Sequence, residues 1–228
     1  MIELQRVSKK YDELVVLKNI NLDMYPNHVY GLCGKNGSGK TTLINIIIGI
    51  CTPDEGIVRV FGKDPAKDWK IRQTIGTLQE ENIYFPELTA TEFLWWVGRL
   101  RRLTDAQCEE QMKMLSDTFN LNHKLDNLIG SLSYGMRRKV LLAAAFVAKP
   151  KLLLLDEPSN GLDYDATESL CNLLSEHRQM GGTAIIASHN LPFVRKICSD
   201  VIVLANGKVT EQLTADKINT LSLSRNTQ

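Results

Sequence analysis

The spacing of apolar positions changes twice along the chain and divides the sequence into three stretches. The first stretch predicts short strands and one helix, from apolar or alternating runs at residues 29–33, 57–61 and 74–78 and helical spacing at 40–49. From residue 87 to residue 148 the spacing is helical, and strand patterns return from residue 152 onward. This order predicts an α/β core interrupted by a helical insert.

Capping and turn residues help to bound the predicted elements. Thr89 and Ser133 are placed to begin helices of the insert. Four consecutive leucines at 152–155 are typical of a parallel strand covered on both faces, and Asn206-Gly207 predicts a hairpin turn. The other predicted elements are helices at 105–119, 165–179 and 191–197 and strands at 183–187, 201–204 and 208–213. The predicted division is an α/β core over 1–82 and 149–213, a helical subdomain over 83–148 and a tail over 214–228.

A glycine-rich loop follows the first predicted strand. Residues 34–42 read GKNGSGKTT and match the phosphate-loop pattern G-x-x-x-x-G-K-[ST]. Its backbone N–H groups can surround phosphate oxygens, and the next helix points its positive N-terminal end at the same anions. Lys40 adds a charge for the β- and γ-phosphates, and the Thr41 hydroxyl can ligate Mg²⁺. The motif predicts a nucleotide site made by Gly34, Asn36, Gly37, Ser38, Gly39, Lys40, Thr41 and Thr42.

A pair of acids follows the four leucines. Asp156 and Glu157 stand at the predicted carboxyl end of a central strand, where α/β sheets bind ligands. Asp156 is predicted to hold Mg²⁺, directly or through water, and Glu157 to activate a water for in-line attack on the γ-phosphate. Alone, an acid after a strand is equally typical of a helix cap. Together with the phosphate loop, the pair predicts ATP hydrolysis.

With these motifs in this order, the chain resembles the nucleotide-binding subunits of ATP-binding cassette (ABC) transporters. Residues 132–136, LSYGM, are similar to the family signature L-S-G-G-Q, and residues 159–163, SNGLD, resemble its D-loop. The resemblance implies a P-loop NTPase core with antiparallel β elements at the N-terminus, and ATP with Mg²⁺ as ligands. It also implies roles for four residues. Ser133 and Gly135 would contact the γ-phosphate held by an opposite subunit, His189 would sense that phosphate, and Tyr11 would stack on adenine.

The chain departs from the family pattern in two places. Tyr134 and Met136 stand where glycine and glutamine are usual, and a tyrosine adopts positive φ only at a cost, so we predict helical or extended backbone there. At the Q-loop, the spacing puts Glu80 at the usual glutamine position with Gln79 just before it. Either Gln79 or Glu80 is therefore the candidate that orients water or Mg²⁺.

Composition and charge exclude several other classes. A net charge of +1 argues against a dedicated nucleic-acid binder, and the cluster Arg99, Arg101 and Arg102 is interpreted as a solvated helix face. No run approaches the ~18 apolar residues of a membrane-spanning helix, and no signal-peptide pattern is visible. Five widely spaced cysteines without a C-x-x-C pair indicate reduced thiols. We expect a cytoplasmic chain without direct membrane insertion.

The sequence therefore predicts the ATPase subunit of an ABC transporter. It would work on the inner face of the cell membrane with a transmembrane permease subunit and a second cassette, either a copy of itself or a paralogue. The short length resembles exporter subunits more than importers. The alternatives are a soluble ABC-type ATPase outside transport, and a regulator without turnover, against which Glu157 argues.

Two adjacent tryptophans mark a candidate contact with the permease. Trp95 and Trp96 are about 100° apart on a helix, so they cannot both point at the centre of one narrow core face. We predict one in the core and the other at its edge or on the surface, where it can anchor a short helix of the partner. The alternative is a broad apolar face buried wholly inside the insert.

Overall fold

The computed structural model describes residues 1–79, 84–214 and 217, which form two β-sheets with helices packed around them. The strands are β1 (Ile2–Tyr11), β2 (Leu14–Met24), β3 (Val29–Cys33), β4 (Glu55–Val60), β5 (Ile75–Leu78), β6 (Leu152–Asp156), β7 (Thr183–Ala187), β8 (Asp200–Ala205) and β9 (Lys208–Thr214). The helices are α1 (Lys40–Ile48), α2 (Trp69–Arg72), α3 (Ala90–Leu100), α4 (Asp105–Thr118), α5 (Tyr134–Phe146), α6 (Tyr164–Gln179) and α7 (Leu191–Ile197). The predicted α/β class is confirmed.

The larger sheet has six strands in the order β5-β6-β7-β3-β8-β9. The first five are parallel, and β9 joins antiparallel to β8 through the predicted Asn206-Gly207 hairpin, in which both residues have positive φ. The smaller sheet, in the order β2-β1-β4, is antiparallel and comes mostly from the N-terminus. Because β3, β6 and β7 are neighbours running in one direction, the loops after them meet at one edge of the sheet.

The four leucines of β6 show how the sheet is covered. All four are fully buried, and they alternate between two hydrophobic clusters: Leu153 and Leu155 pack with α5 and α6, while Leu152 and Leu154 pack with α1 and the N-terminal strands. This follows from the two-residue period of a strand. Both faces of the sheet are therefore covered, as the apolar run predicts.

Helices occupy the insert between β5 and β6. Apart from one bridge between Thr89 and Leu128, the described residues there form helices and turns. Thr89 caps α3 in a reciprocal pair with Glu92, and Ser133 caps α5 by accepting from the Met136 N–H. The chain leaves the core after β5, whose last residue pairs with Leu155 near the acidic pair, and re-enters it at Leu152, the opposite end of β6. The division at residues 83 and 148 remains a proposal.

Candidate nucleotide site

The phosphate loop connects β3 to α1. Gly37 and Gly39 have φ of +77° and +104°, conformations that L side chains rarely adopt, and a Cβ on Gly39 would lie 2.7 Å from the Leu17 Cδ2 atom. Gly39 is also the N-cap of α1 and supplies no side-chain acceptor. The first N–H groups of α1 therefore remain available for an anion.

Lys40 lies inside this loop. Its side chain is buried, and its Nζ atom donates to the Gly34 carbonyl at 3.0 Å and the Lys35 carbonyl at 3.3 Å. The Ser38 hydroxyl is buried too, and it has no hydrogen-bond partner within the described residues. Burial raises the pKa of the neighbouring Cys33 thiol to about 11, so that thiol stays neutral at physiological pH. Lys40 therefore places a buried positive charge in the loop, next to a thiol that carries no charge.

The candidate Mg²⁺ ligands meet across the sheet edge. The Thr41 hydroxyl, at the start of α1, donates to Asp156 Oδ2 at 2.7 Å, and Asp156 ends β6 next to β7. Hard oxygen donors of this kind suit Mg²⁺. Across residues 1–79, 84–214 and 217, no group of three His, Cys, Asp or Glu side chains could hold a metal alone. Thr41 and Asp156 leave most positions of an octahedral Mg²⁺ shell to water or phosphate oxygens.

Glu157 lies on the turn after β6, and the residue as a whole is only 4% exposed. Oε2 accepts from the Ser188 hydroxyl at 2.9 Å, and Oε1 accepts from the His189 backbone N–H at 3.0 Å. The His189 ring lies against the same oxygen, with Nδ1 2.6 Å away. These contacts hold one carboxylate beside one imidazole at the carboxyl ends of β6 and β7. The arrangement can accept a proton from a nearby water.

The signature segment and the D-loop touch each other. Ser133 is exposed at the start of α5, and Tyr134 is the first residue of that helix, so of the two predicted conformations, helical or extended, the structure has the helical one. The Tyr134 ring lies over Gly161, where an added Cβ would meet it at 2.3 Å, and a Cβ on Gly135 would meet the Gly161 carbonyl at 2.7 Å. Asp163 caps α6 from the end of the D-loop. The two segments are therefore packed as a unit.

Two other predicted site residues, Tyr11 and Gln79, lie near helix α1, outside the phosphate loop. Tyr11 ends β1 half-exposed, and its hydroxyl lies 3.6 Å from Cys51 Sγ; this contact raises the pKa of the phenol. The Gln79 side chain follows β5 and donates to Asn45 on α1 at 3.1 Å. Glu80 lies outside the described residues, so the choice between Gln79 and Glu80 stays open.

Two buried polar residues at this site were not predicted from the sequence. Ser188 is fully buried and bonds Glu157, and Arg138 on α5 is buried against the backbone of Asp156 and Glu157. Ser188 could have been found, because it stands beside His189 at the end of a predicted strand. Arg138 gave no signal, since it stands in a run of three basic residues that is typical of a solvated surface.

The sequence pattern of the ABC transporter family matches residues 17–160. The lipopolysaccharide export system ATP-binding protein LptB of Haemophilus influenzae is 32% identical over 219 residues, which are 94% of this chain and 90% of that protein. The Nod factor export ATP-binding protein I of Sinorhizobium fredii is 34% identical over 91% of this chain and 61% of that protein. The chain spans a smaller part, 8%, of ATP-binding cassette sub-family A member 2 of Rattus norvegicus, with 29% identity over 88% of this chain.

Solved structures agree with the sequence relatives. An ATP-binding subunit of an ABC transporter superposes with a TM-score of 0.91 at 28% identity, covering 96% of this chain and 92% of that one. A dimeric ATP-binding cassette in a post-hydrolysis state with ADP and Pi superposes with a TM-score of 0.86 at 25% identity, covering 94% and 99%. Family pattern, relatives and fold agree, and this chain belongs to the ABC transporter family as one of its ATP-binding cassettes.

Proposed function

We propose that this chain binds and hydrolyses ATP to power a separate transmembrane subunit, in export rather than import. The observation that carries the hydrolytic part is the juxtaposition of Lys40, the Thr41–Asp156 pair and Glu157 at one sheet edge. The names of relatives that share most of their length with this chain support the transport part and speak against a soluble ABC-type ATPase. The cargo would be set by the partner.

Each residue has a distinct proposed task. The N–H groups of the phosphate loop and Lys40 hold the β- and γ-phosphates, and Thr41 and Asp156 hold Mg²⁺ with Gln79 or Glu80 beside it. Mg²⁺, when bound, supplies positive charge that neutralises the phosphate oxygens. Glu157 takes a proton from water as the water oxygen bonds to the γ-phosphorus and the bond to ADP breaks. His189 and Ser188 orient the Glu157 carboxylate, and His189 also contacts the γ-phosphate.

Tyr11 is proposed to stack on the adenine ring. Tyr11→Ala should weaken ATP binding by roughly 1–3 kcal/mol, the scale of one base–aromatic contact. Tyr11→Phe keeps the ring and loses only the hydroxyl contact with Cys51, so it should bind ATP nearly as the wild type does. Equilibrium titration with a fluorescent ATP analogue measures both. Equal losses in the two variants would assign the effect to the hydroxyl and remove the stacking role.

A second cassette is proposed to complete the site. Ser133 is the exposed N-cap of α5 and Gly135 lies partly exposed in its first turn, where a nucleotide held by an opposite subunit would contact them. The solved dimeric cassette with ADP and Pi supports this arrangement. The partner is a second copy of this chain or a paralogue.

The expected result is an ATP-dependent dimer when hydrolysis is blocked. Glu157→Gln with ATP should elute at twice the monomer mass, because bound ATP is sandwiched between two subunits and links them. Size-exclusion chromatography with light scattering measures this, with ADP and the double variant Lys40→Ala/Glu157→Gln as controls. A monomer in all conditions would rule out the homodimer and leave a paralogue as partner.

The permease is proposed to dock beside Trp96. As predicted, the two tryptophans separate: Trp95 packs partly buried against the core, and Trp96 is 44% exposed with its ring against Phe85. Trp96 lines a cleft of about 330 Å³ together with Gln79 and Leu100. A short apolar helix of the partner would fit there, next to the residue proposed to sense Mg²⁺.

Trp96→Ala should abolish co-purification with the permease while leaving thermal stability and basal ATPase within about twofold of wild type, since an exposed side chain contributes little to the fold. Met180→Ala removes a more exposed apolar side chain from the end of α6 and should keep the partner. Retention of the permease by the Trp96 variant would place the docking surface elsewhere.

The length and composition of the helices bear on where in the cell the chain works. Over residues 1–79, 84–214 and 217, no helix combines the length and the apolar character needed to cross a bilayer. We propose that the chain acts on the inner face of the cell membrane through its transmembrane partner.

A further inference from the structure

A buried arginine connects the helix that carries the signature to the turn that carries Glu157. Arg138 on α5 is 1% exposed, and among the described residues it is the largest side chain that is fully buried. One terminal nitrogen donates to the carbonyl oxygens of Asp156 and Glu157, at 2.7 Å each, and the other donates to the Gln79 carbonyl at 3.0 Å. A buried charge is costly unless it is hydrogen-bonded, and here a planar guanidinium reaches three carbonyls from two separate segments.

The contact with Glu157 falls on an unusual piece of backbone. Glu157 has φ of +46°, in the left-handed region that non-glycine residues seldom occupy, and such a conformation persists when its surroundings over-determine it. The Glu157 N–H donates to the Ala187 carbonyl at 2.8 Å, and Arg138 bonds the carbonyl on each side of the Glu157 Cα. Arg138 therefore helps to define the direction in which the carboxylate points.

The neighbouring arginine, Arg137, contacts the chain at Tyr84. Arg137 donates to the Tyr84 hydroxyl, and its guanidinium lies 4.8 Å from the centre of that ring. Gln79 and Tyr84 flank residues 80–83, which lie outside the described part. Helix α5 is thus hydrogen-bonded to the chain on both sides of residues 80–83, and also to the backbone of Asp156 and Glu157.

We propose that Arg138 is a positioning residue for ATP hydrolysis, which ties the Glu157 turn and the Gln79 backbone to helix α5, whose N-cap is Ser133. Any movement of α5 against a second cassette or the permease is then passed to the carboxylate by a rigid, hydrogen-bonded side chain. This inference rests on the proposed role of Glu157 as general base.

Two substitutions of Arg138 test the idea. Arg138→Lys keeps the charge and loses the planar fork, and Arg138→Gln keeps a planar donor and loses the charge. Each should lower kcat by about 10- to 100-fold, the scale of misplacing a reacting group by about 1 Å. KM and the Kd for ATP should stay within about threefold, because the phosphate loop is untouched. Arg178→Met, an exposed arginine of α6, is the matched control and should leave both constants unchanged.

A double-mutant cycle separates positioning from a merely structural role. In the Glu157→Gln background, Arg138→Lys should add little further loss of single-turnover hydrolysis, because both changes act on the same carboxylate. Independent, multiplying losses would overturn the proposal, as would a normal kcat in both Arg138 variants. Loss of ATP binding or of the folded state in both variants would overturn it too, by making Arg138 a packing residue only. Near-normal turnover of Glu157→Gln alone would instead refute the proposed function.

Discussion

Replacing Glu157 with glutamine should leave ATP binding intact and slow hydrolysis by at least about a hundredfold, the scale of a lost general base. Glutamine keeps the shape of the side chain: its amide oxygen can accept from the His189 N–H, and its NH2 group can donate to the Ser188 hydroxyl oxygen, so the turn is expected to stay as it is. What disappears is the carboxylate that takes the proton of the attacking water. Phosphate release under saturating ATP measures the rate, and equilibrium titration measures the affinity.

Glu176→Gln is the matched control for this change. Glu176 is an exposed carboxylate on α6, away from the sheet edge, and its replacement should leave turnover within about twofold of wild type, as for most surface substitutions. Near-normal turnover in Glu157→Gln, with the control also normal, would remove Glu157 from the catalytic role. A parallel loss of ATP affinity would indicate that the turn itself had moved.

Lys40→Ala should weaken ATP binding by about 10- to 150-fold, which corresponds to the ~1.5–3 kcal/mol of hydrogen bonds to charged groups. The Nζ atom lies within the loop, bonded to the Gly34 and Lys35 carbonyls, where incoming phosphates can compete for it. In the variant, the backbone N–H groups and the start of α1 remain as the anion site. Isothermal titration with ATP measures the loss directly.

Thermal unfolding provides a second readout for Lys40. A ligand that binds the native state raises its melting temperature, so saturating ATP should stabilise the wild type and stabilise Lys40→Ala much less. Lys113→Ala, an exposed lysine of α4, should respond to ATP as the wild type does. Equal ATP affinity in wild type and Lys40→Ala would contradict the assignment of the phosphate loop.

Elements with a clear period could be predicted from the sequence nearly to the residue. The strands β3 and β7 and the helix α7 have the predicted bounds, and α4, α5 and α6 differ from prediction only at their ends. The N-terminal strands were expected only as antiparallel elements without bounds. Register shifts interrupt the pairing of β1 with β2, and Arg6 has positive φ, so the two-residue alternation is broken there. Helix α2 has four residues, too few to show a period.

The candidate site likewise has one part that the sequence predicts and another that depends on the tertiary structure. The phosphate loop and the Asp156-Glu157 pair are contiguous motifs, and their chemistry is contained in residue types at fixed spacing, so the sequence alone determined them. Only the tertiary structure decided that Ser188 and His189 hold the Glu157 carboxylate and that Arg138 is buried against it. These contacts join residues far apart in the chain. They exist because β6 and β7 lie side by side in register and the N-terminal half of α5 lies against the end of β6, which no local pattern of residues encodes.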